Sequence, residues 1–173
     1  MSTADFTTTI LVAQTPLAVF NAINNVRGWW SEEIEGGTDN LNDEFNYHFE
    51  DIHRCKIKIT ALMPGEKVEW LVLGNYFKPG IFNEAPAALH NGKSEWTGTK
   101  IIFEIEEKRN KTQVRFTHLG LVPEYECFDA CSNGWSHYIG QSLLSLITTG
   151  KGQPNSTGKP MTTEEEKLHA GKA

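Results

Sequence analysis

The spacing of apolar positions changes character several times along the chain. Phe6 to Val12 carries β-branched residues and threonines, a strand pattern, and ends at Gln14-Thr15-Pro16. Thr15 suits a helix N-cap and Pro16 the first helical position, because a threonine hydroxyl accepts an orphan N–H there and proline has none to lose. The helix is expected from Pro16 to about Val26, with Val19, Phe20 and Ile23 spaced to face a core. Arg27 to Asp43 mixes Trp29 and Trp30 with Gly36-Gly37, Asp39-Asn40 and several acids, which is loop chemistry. From Glu44 the period is two. Phe45, Tyr47 and Phe49, then Ile57, Ile59 and Ala61, alternate with polar neighbours, as in antiparallel strands wet on one side. Pro64-Gly65 reads as the centre of a type II turn, and Val68, Trp70 and Val72 continue on the returning strand. Ile101, Phe103 and Ile105 follow, then a turn at Asn110-Lys111, then Val114, Phe116 and His118 on one face.

After Pro123 the spacing becomes helical. Phe128, Cys131, Trp135, Ile139, Leu143 and Leu146 recur between about Glu124 and Thr149, and Gly150 stands where a C-terminal cap belongs. At 1.5 Å per residue such a helix is roughly 38 Å long, enough to cross a sheet. One short helix, about six antiparallel strands and one long closing helix make an α+β domain, with the helices on one face of a curved sheet. The domain is expected over residues 1–154, with the polar segment 155–173 as a C-terminal tail. Within that tail Thr162 and the acids behind it suit the start of one or two helical turns, docked on the domain or on a neighbouring chain.

Composition narrows the function classes. A chain of 173 residues, 39% hydrophobic and 22% charged, is the size of one folded core and not a disordered polymer. With 16 Lys+Arg against 22 Asp+Glu the net charge is −6, a field that repels phosphate backbones and anionic lipid heads. Nucleic acid is therefore a poor partner. No apolar run approaches the ~18 residues of a membrane span, and the Met-Ser-Thr-Ala start lacks signal-peptide chemistry. Three cysteines, Cys55, Cys127 and Cys131, leave an odd thiol, so a reduced, cytoplasmic setting is expected. Cys127 and Cys131 sit one helical turn apart, where β-carbons are about 5–6 Å apart and a disulfide needs roughly 3.5–4.5 Å. They are expected to be packed thiols, with no metal and no cofactor.

Four strings carry a family resemblance: Glu95-Trp96-Thr97-Gly98-Thr99 opening a strand, Thr117-His118-Leu119-Gly120-Leu121 closing one, Cys131-Ser132-Asn133-Gly134-Trp135 within the helix, and Thr149-Gly150-Lys151-Gly152-Gln153-Pro154 after it. Over about residues 5 to 154 the chain resembles the START-like, or SRPBCC, helix-grip superfamily, and within it the branch named after the activator of the heat-shock-protein-90 ATPase. The resemblance implies a curved sheet wrapped around a long C-terminal helix with a cavity between them. It does not imply chaperone activation, because a fold hosts many functions. Gly74 to Glu95 is longer than this pattern expects. Its Tyr76, Phe77, Ile81, Phe82 and Leu89 suit a cavity flap, or the covering of a sheet edge.

A polar group aimed inward is the informative event, and counting from Val114 and Phe116 puts His118 on the core face. A neutral imidazole there can orient a ligand's carbonyl or hydroxyl, or else cap the strand end near Gly120. Trp29, Trp70, Trp96 and Trp135 suit an apolar pocket wall, Trp135 foremost because Gly134 beside it permits close approach. Tyr138 falls one residue out of register with Ile139, at the cavity rim. Tyr47, Phe103, Phe116 and Phe128 point inward by period, and Phe77 and Phe82 come from the flap. These twelve residues form the candidate ligand-binding set; no catalytic residue is assigned. His48, Glu50, Asp51 and His53 match no metal spacing and read as solvated turn chemistry. No phosphate-binding loop, dinucleotide glycine fingerprint, nucleophile elbow or zinc-protease string occurs. The first reading is binding of a small hydrophobic ligand, a lipid or an aromatic metabolite, with no catalysis required. The second is a protein-interaction or chaperone-associated module working through the outer sheet face or the acidic loop, and a homodimer is left open. The third is an enzyme of the cyclase or hydratase kind, for which His118 is the sole general acid–base candidate.

Overall fold

The computed structural model describes residues 5–77, 89–90, 93–94, 96–121, 128–163 and 165–166. Residues 78–88, which hold Phe82 and most of the expected flap, lie outside the described residues, as do Cys127 and the side chains of Phe77 and Phe128.

Strand β1 (Phe6–Val12) leads into helix α1 (Pro16–Asn24), whose N-cap is Thr15, its hydroxyl accepting the Ala18 N–H at 3.2 Å. The helix stops two residues before the expected Val26, and a single 3-10 turn over Val26–Gly28 continues it. The stretch expected to be all loop then contains a two-residue strand, β2 (Glu35–Gly36). Arg27 stabilises it by donating from Nε to the Ile34 carbonyl at 3.0 Å and from Nη2 to the Gly36 carbonyl at 2.9 Å. Strands β3 (Glu44–Phe49), β4 (His53–Met63), β5 (Lys67–Phe77), β8 (Lys100–Lys108) and β9 (Lys111–Leu119) follow, with a small hairpin of β6 (Leu89–His90) and β7 (Lys93–Ser94) between β5 and β8.

The main sheet is antiparallel with order β1-β9-β8-β5-β4-β3-β2, so β2 raises the expected six strands to seven. The β4–β5 turn is closed as expected, Glu66 N–H donating to the Met63 carbonyl at 2.8 Å with Gly65 at φ 73°. The β8–β9 turn sits one residue earlier than expected. Arg109 and Asn110 occupy its centre at φ 51° and 67°, the left-handed pair a two-residue hairpin requires.

The closing helix comprises α2 (Phe128–His137), a π segment (Tyr138–Leu143) and α3 (Leu144–Thr149). The π segment corrects the helical counting. Its wider turn buries Tyr138 with Ile139, and Ser142 with Leu143, so Tyr138 lies inside at 3% exposure and not on a rim. The core lies between the concave sheet face and this helix: Ile101, Phe103, Val114 and Phe116 from the sheet and Trp135, Ile139 and Leu143 from the helix belong to one buried cluster. No helix among the described residues is long and apolar enough to cross a membrane.

The described residues after 154 are built into the fold. Asn155 bridges in parallel to Ser31, donating its N–H to the Trp30 carbonyl at 3.0 Å and accepting from Glu32 N–H at 2.9 Å. The Thr157-Gly158 turn is held by two carboxylates, Glu33 accepting from Thr157 N–H and hydroxyl and Glu50 from Gly158 N–H at 2.9 Å. Glu50, expected among solvated turn residues, is 8% exposed.

Candidate functional site

Period-two alternation delivers Tyr47, Trp70, Phe103, Phe116 and His118 to the concave face, and the helix brings Trp135 and Tyr138 down on them. All but Tyr138 belong, with Trp29, Trp30 and Trp96, to one layer of contacting rings. Trp30 stacks on Tyr47 with ring centroids 4.1 Å apart and meets Trp70 at 5.9 Å and Trp135 at 5.1 Å. Trp29 stacks on Trp70 at 6.2 Å, and Trp96 on Trp135 at 5.8 Å. All five tryptophans are buried. Trp29 donates its indole N–H to the Ile23 carbonyl and Trp96 to Cys131 Sγ, but Trp70 Nε1 is buried with no acceptor among the described residues. A buried indole N–H ordinarily has a partner, so this orphan needs a reason.

Two polar nests border the layer. In the first, Trp135 Nε1–H donates to His118 Nδ1 at 3.1 Å, and His118 Nε2 lies 2.8 Å from Thr99 Oγ1. The Thr99 hydroxyl proton goes to the Trp96 carbonyl, so Thr99 Oγ1 is the acceptor and His118 the donor. The tautomer follows: Nε2 carries the proton and Nδ1 a lone pair, because an indole N–H can only donate. The ring is wholly buried, and burial first, then the neighbouring His53, lowers its pKa to about 3. His53 packs edge-on against Tyr47 and Trp96 and donates from Nε2 to Asn75 Oδ1 at 2.7 Å. Its pKa falls to about 4, burial outweighing the Asn75 bond.

The second nest joins sheet, helix and C-terminal segment. Asn155 Nδ2 donates to Tyr138 Oη at 2.7 Å and to Tyr47 Oη at 3.0 Å, and the Tyr138 hydroxyl donates to Glu165 Oε2 at 2.7 Å. That bond fixes the amide, since a flip would turn Asn155 Oδ1 onto Tyr138 and Glu165 oxygens that offer it no proton. Asn155 Oδ1, as placed, is buried without a donor among the described residues. Burial raises both phenols above their ordinary range, reinforced for Tyr138 by Tyr47 and Glu165 and for Tyr47 by Glu165. Glu165 also closes a capping box: its N–H donates to Thr162 Oγ1 at 3.0 Å, while its Oε1 accepts from Thr162 and Met161 N–H. Replacing Glu165 by Ala removes the cap and strands the Tyr138 proton, a loss of about 1–2 kcal/mol. Hydrogen exchange is expected to rise across residues 155–166 and stay unchanged in β8 and β9.

Of the twelve expected binding residues, nine are thus described, eight in the ring layer and Tyr138 in the nest beside it; the side chains of Phe77, Phe82 and Phe128 lie outside the described residues. Among the described residues nothing lies within 4 Å of where a Gly134 Cβ would stand. His53, expected among solvated turn residues, instead packs inside against Tyr47 and Trp96; sequence reasoning passed over Trp30, Thr99, Asn155 and Glu165, and Ser142, whose hydroxyl donates to the Trp29 carbonyl and accepts from Gln153 N–H, each at 2.7 Å.

No family model and no curated protein sequence matches the chain. Solved structures do. The solution structure of the Aha1 dimer from Colwellia psychrerythraea aligns with TM-score 0.66 at 23% identity, covering 86% of this chain and 99% of that one. A protein from Staphylococcus saprophyticus aligns at 0.60 and 14% identity, covering 88% and 98%, and CalU16 from Micromonospora echinospora at 0.54 and 11%, covering 87% and 88%. At these identities the likeness is one of fold: the chain has the α+β helix-grip architecture of START-like proteins.

Proposed function

We propose that the chain is a binding domain for a small hydrophobic ligand, taken up against the tryptophan layer between sheet and closing helix, with no chemical step. The observation that carries this reading is Trp70: an indole N–H buried in a bed of aromatic faces with no acceptor among the described residues. Apolar surroundings with a few placed polar groups are the usual make-up of a small-molecule site. His118 speaks against catalysis, since both its ring nitrogens are engaged by Trp135 and Thr99.

The test is thermal shift with intrinsic tryptophan fluorescence, run against a panel of lipids and polycyclic aromatic compounds. A ligand at a hundred times its dissociation constant is expected to add about 2.7 kcal/mol of stability and to quench the indoles. Trp70→Phe, which keeps the ring and deletes the donor, is expected to weaken that ligand about tenfold. If no compound moves either signal, the domain acts instead through its outer surface on a protein partner.

A further inference from the structure

The polar inventory of the interior is one-sided. Among the described residues no lysine or arginine is buried. Lys67 and Lys100 pair with Glu69, Lys56 pairs with Glu44 and Lys159 with Glu32, all partly or largely exposed. The one carboxylate of the second nest, Glu165, accepts from Tyr138. Of the buried side-chain atoms without a partner among the described residues, the two that belong to the aromatic layer and its second nest are the Trp70 Nε1–H donor and the Asn155 Oδ1 acceptor. A carboxylate ligand would meet a neighbouring carboxylate and an amide oxygen with no cation to offset its desolvation, and an uncompensated buried charge is costly.

We infer that the ligand class is an uncharged aromatic or aliphatic molecule bearing a hydroxyl, an alcohol or phenol, and that the corresponding carboxylic acids are rejected. This rests on the binding reading above. A hydroxyl accepts from an indole N–H and donates to an amide oxygen, so one functional group answers either orphan. The inner histidines do not change the balance near neutral pH, because burial holds His118 at about 3 and His53 at about 4.

Naphthol, naphthamide and naphthoate, which share one ring system, separate the outcomes by calorimetric titration of the full chain at neutral pH. Naphthol is expected to bind, naphthamide to bind within about tenfold of it, and naphthoate about a hundredfold or more weaker. Trp70→Phe is expected to narrow the gap between naphthol and unsubstituted naphthalene, whereas a merely structural Trp70 would weaken both alike. Naphthoate binding as tightly as naphthol overturns the ligand class and leaves the binding reading standing. If none of the compounds binds a chain whose melting is cooperative, the binding reading falls and takes the class with it.

Discussion

Between about pH 6.5 and pH 4 the fold is expected to lose stability steeply, with the two buried imidazoles of His118 and His53 as the causes. In the unfolded chain this imidazole takes a proton near 6.5; in the fold it does so only at about 3. Through that window the unfolded state binds more protons than the native one, so stability rises with pH and falls on acidification. By about pH 4.5 the difference is two pH units, or about 3 kcal/mol from His118 alone. Above about pH 6.5 both states are neutral and the contribution is flat. The structural reason is direct. A proton on Nδ1 would face the Trp135 N–H, a donor against a donor, in a site with no water-exposed surface. His53 acts in the same sense, its folded value lying at about 4. Urea midpoints across this range measure the effect, and His118→Gln, although less stable at neutral pH, should show about half the pH dependence, His53 supplying the rest. An imidazole resonance of His118 titrating near 6.5 in the folded chain would refute the argument.

The same histidine marks how far the sequence could be read. Alternation along Lys111–Leu119 places His118 inward, since each strand residue two apart shares a face. Its partners could not be read that way: Thr99 lies nineteen positions earlier and Trp135 seventeen later, and only the closed sheet and the helix above it bring them together. Trp30 was hidden by the loop composition around it. The signal was the doublet itself, two adjacent indoles in an acidic stretch, which a solvated loop has little reason to carry. Asn155 and Glu165 were hidden by a polar tail. There the Thr162-x-x-Glu165 spacing of a capping box was legible, but not that the glutamate's second oxygen would reach Tyr138. Tyr138 itself was misplaced because a 3.6-residue period carries no information about a π turn, which buries consecutive residues that an α-helix would separate.

Gly152→Ala is expected to be among the most damaging single-methyl additions to this chain. A β-carbon there would stand 2.1 Å from the Gly28 carbonyl oxygen and 3.2 Å from that of Ser142, backbone atoms with no rotamer to give way. Relief requires parting the segment after the closing helix from the Val26–Gly28 turn that introduces Trp29 and Trp30. That separation in turn strains the Ser142 hydroxyl, which bridges Trp29 and Gln153. Overpacking costs about 1–3 kcal/mol and a stranded buried hydrogen-bonding group about 1–3 more, so a loss of about 4 kcal/mol is expected. For a chain of this length that lowers the melting temperature by about 8–16 °C. Gly150→Ala is the control that separates crowding from backbone strain. Gly150 caps the helix at φ 85° with nothing within 4 Å of its would-be β-carbon among the described residues, so only the left-handed conformation is penalised, by about 1–2 kcal/mol. Equal melting temperatures for the two variants would show that the approach of residue 152 to the Trp29 turn is not a tight one. A much lower value for Gly152→Ala, with altered tryptophan emission, would show that the segment after the helix sets the position of the aromatic layer.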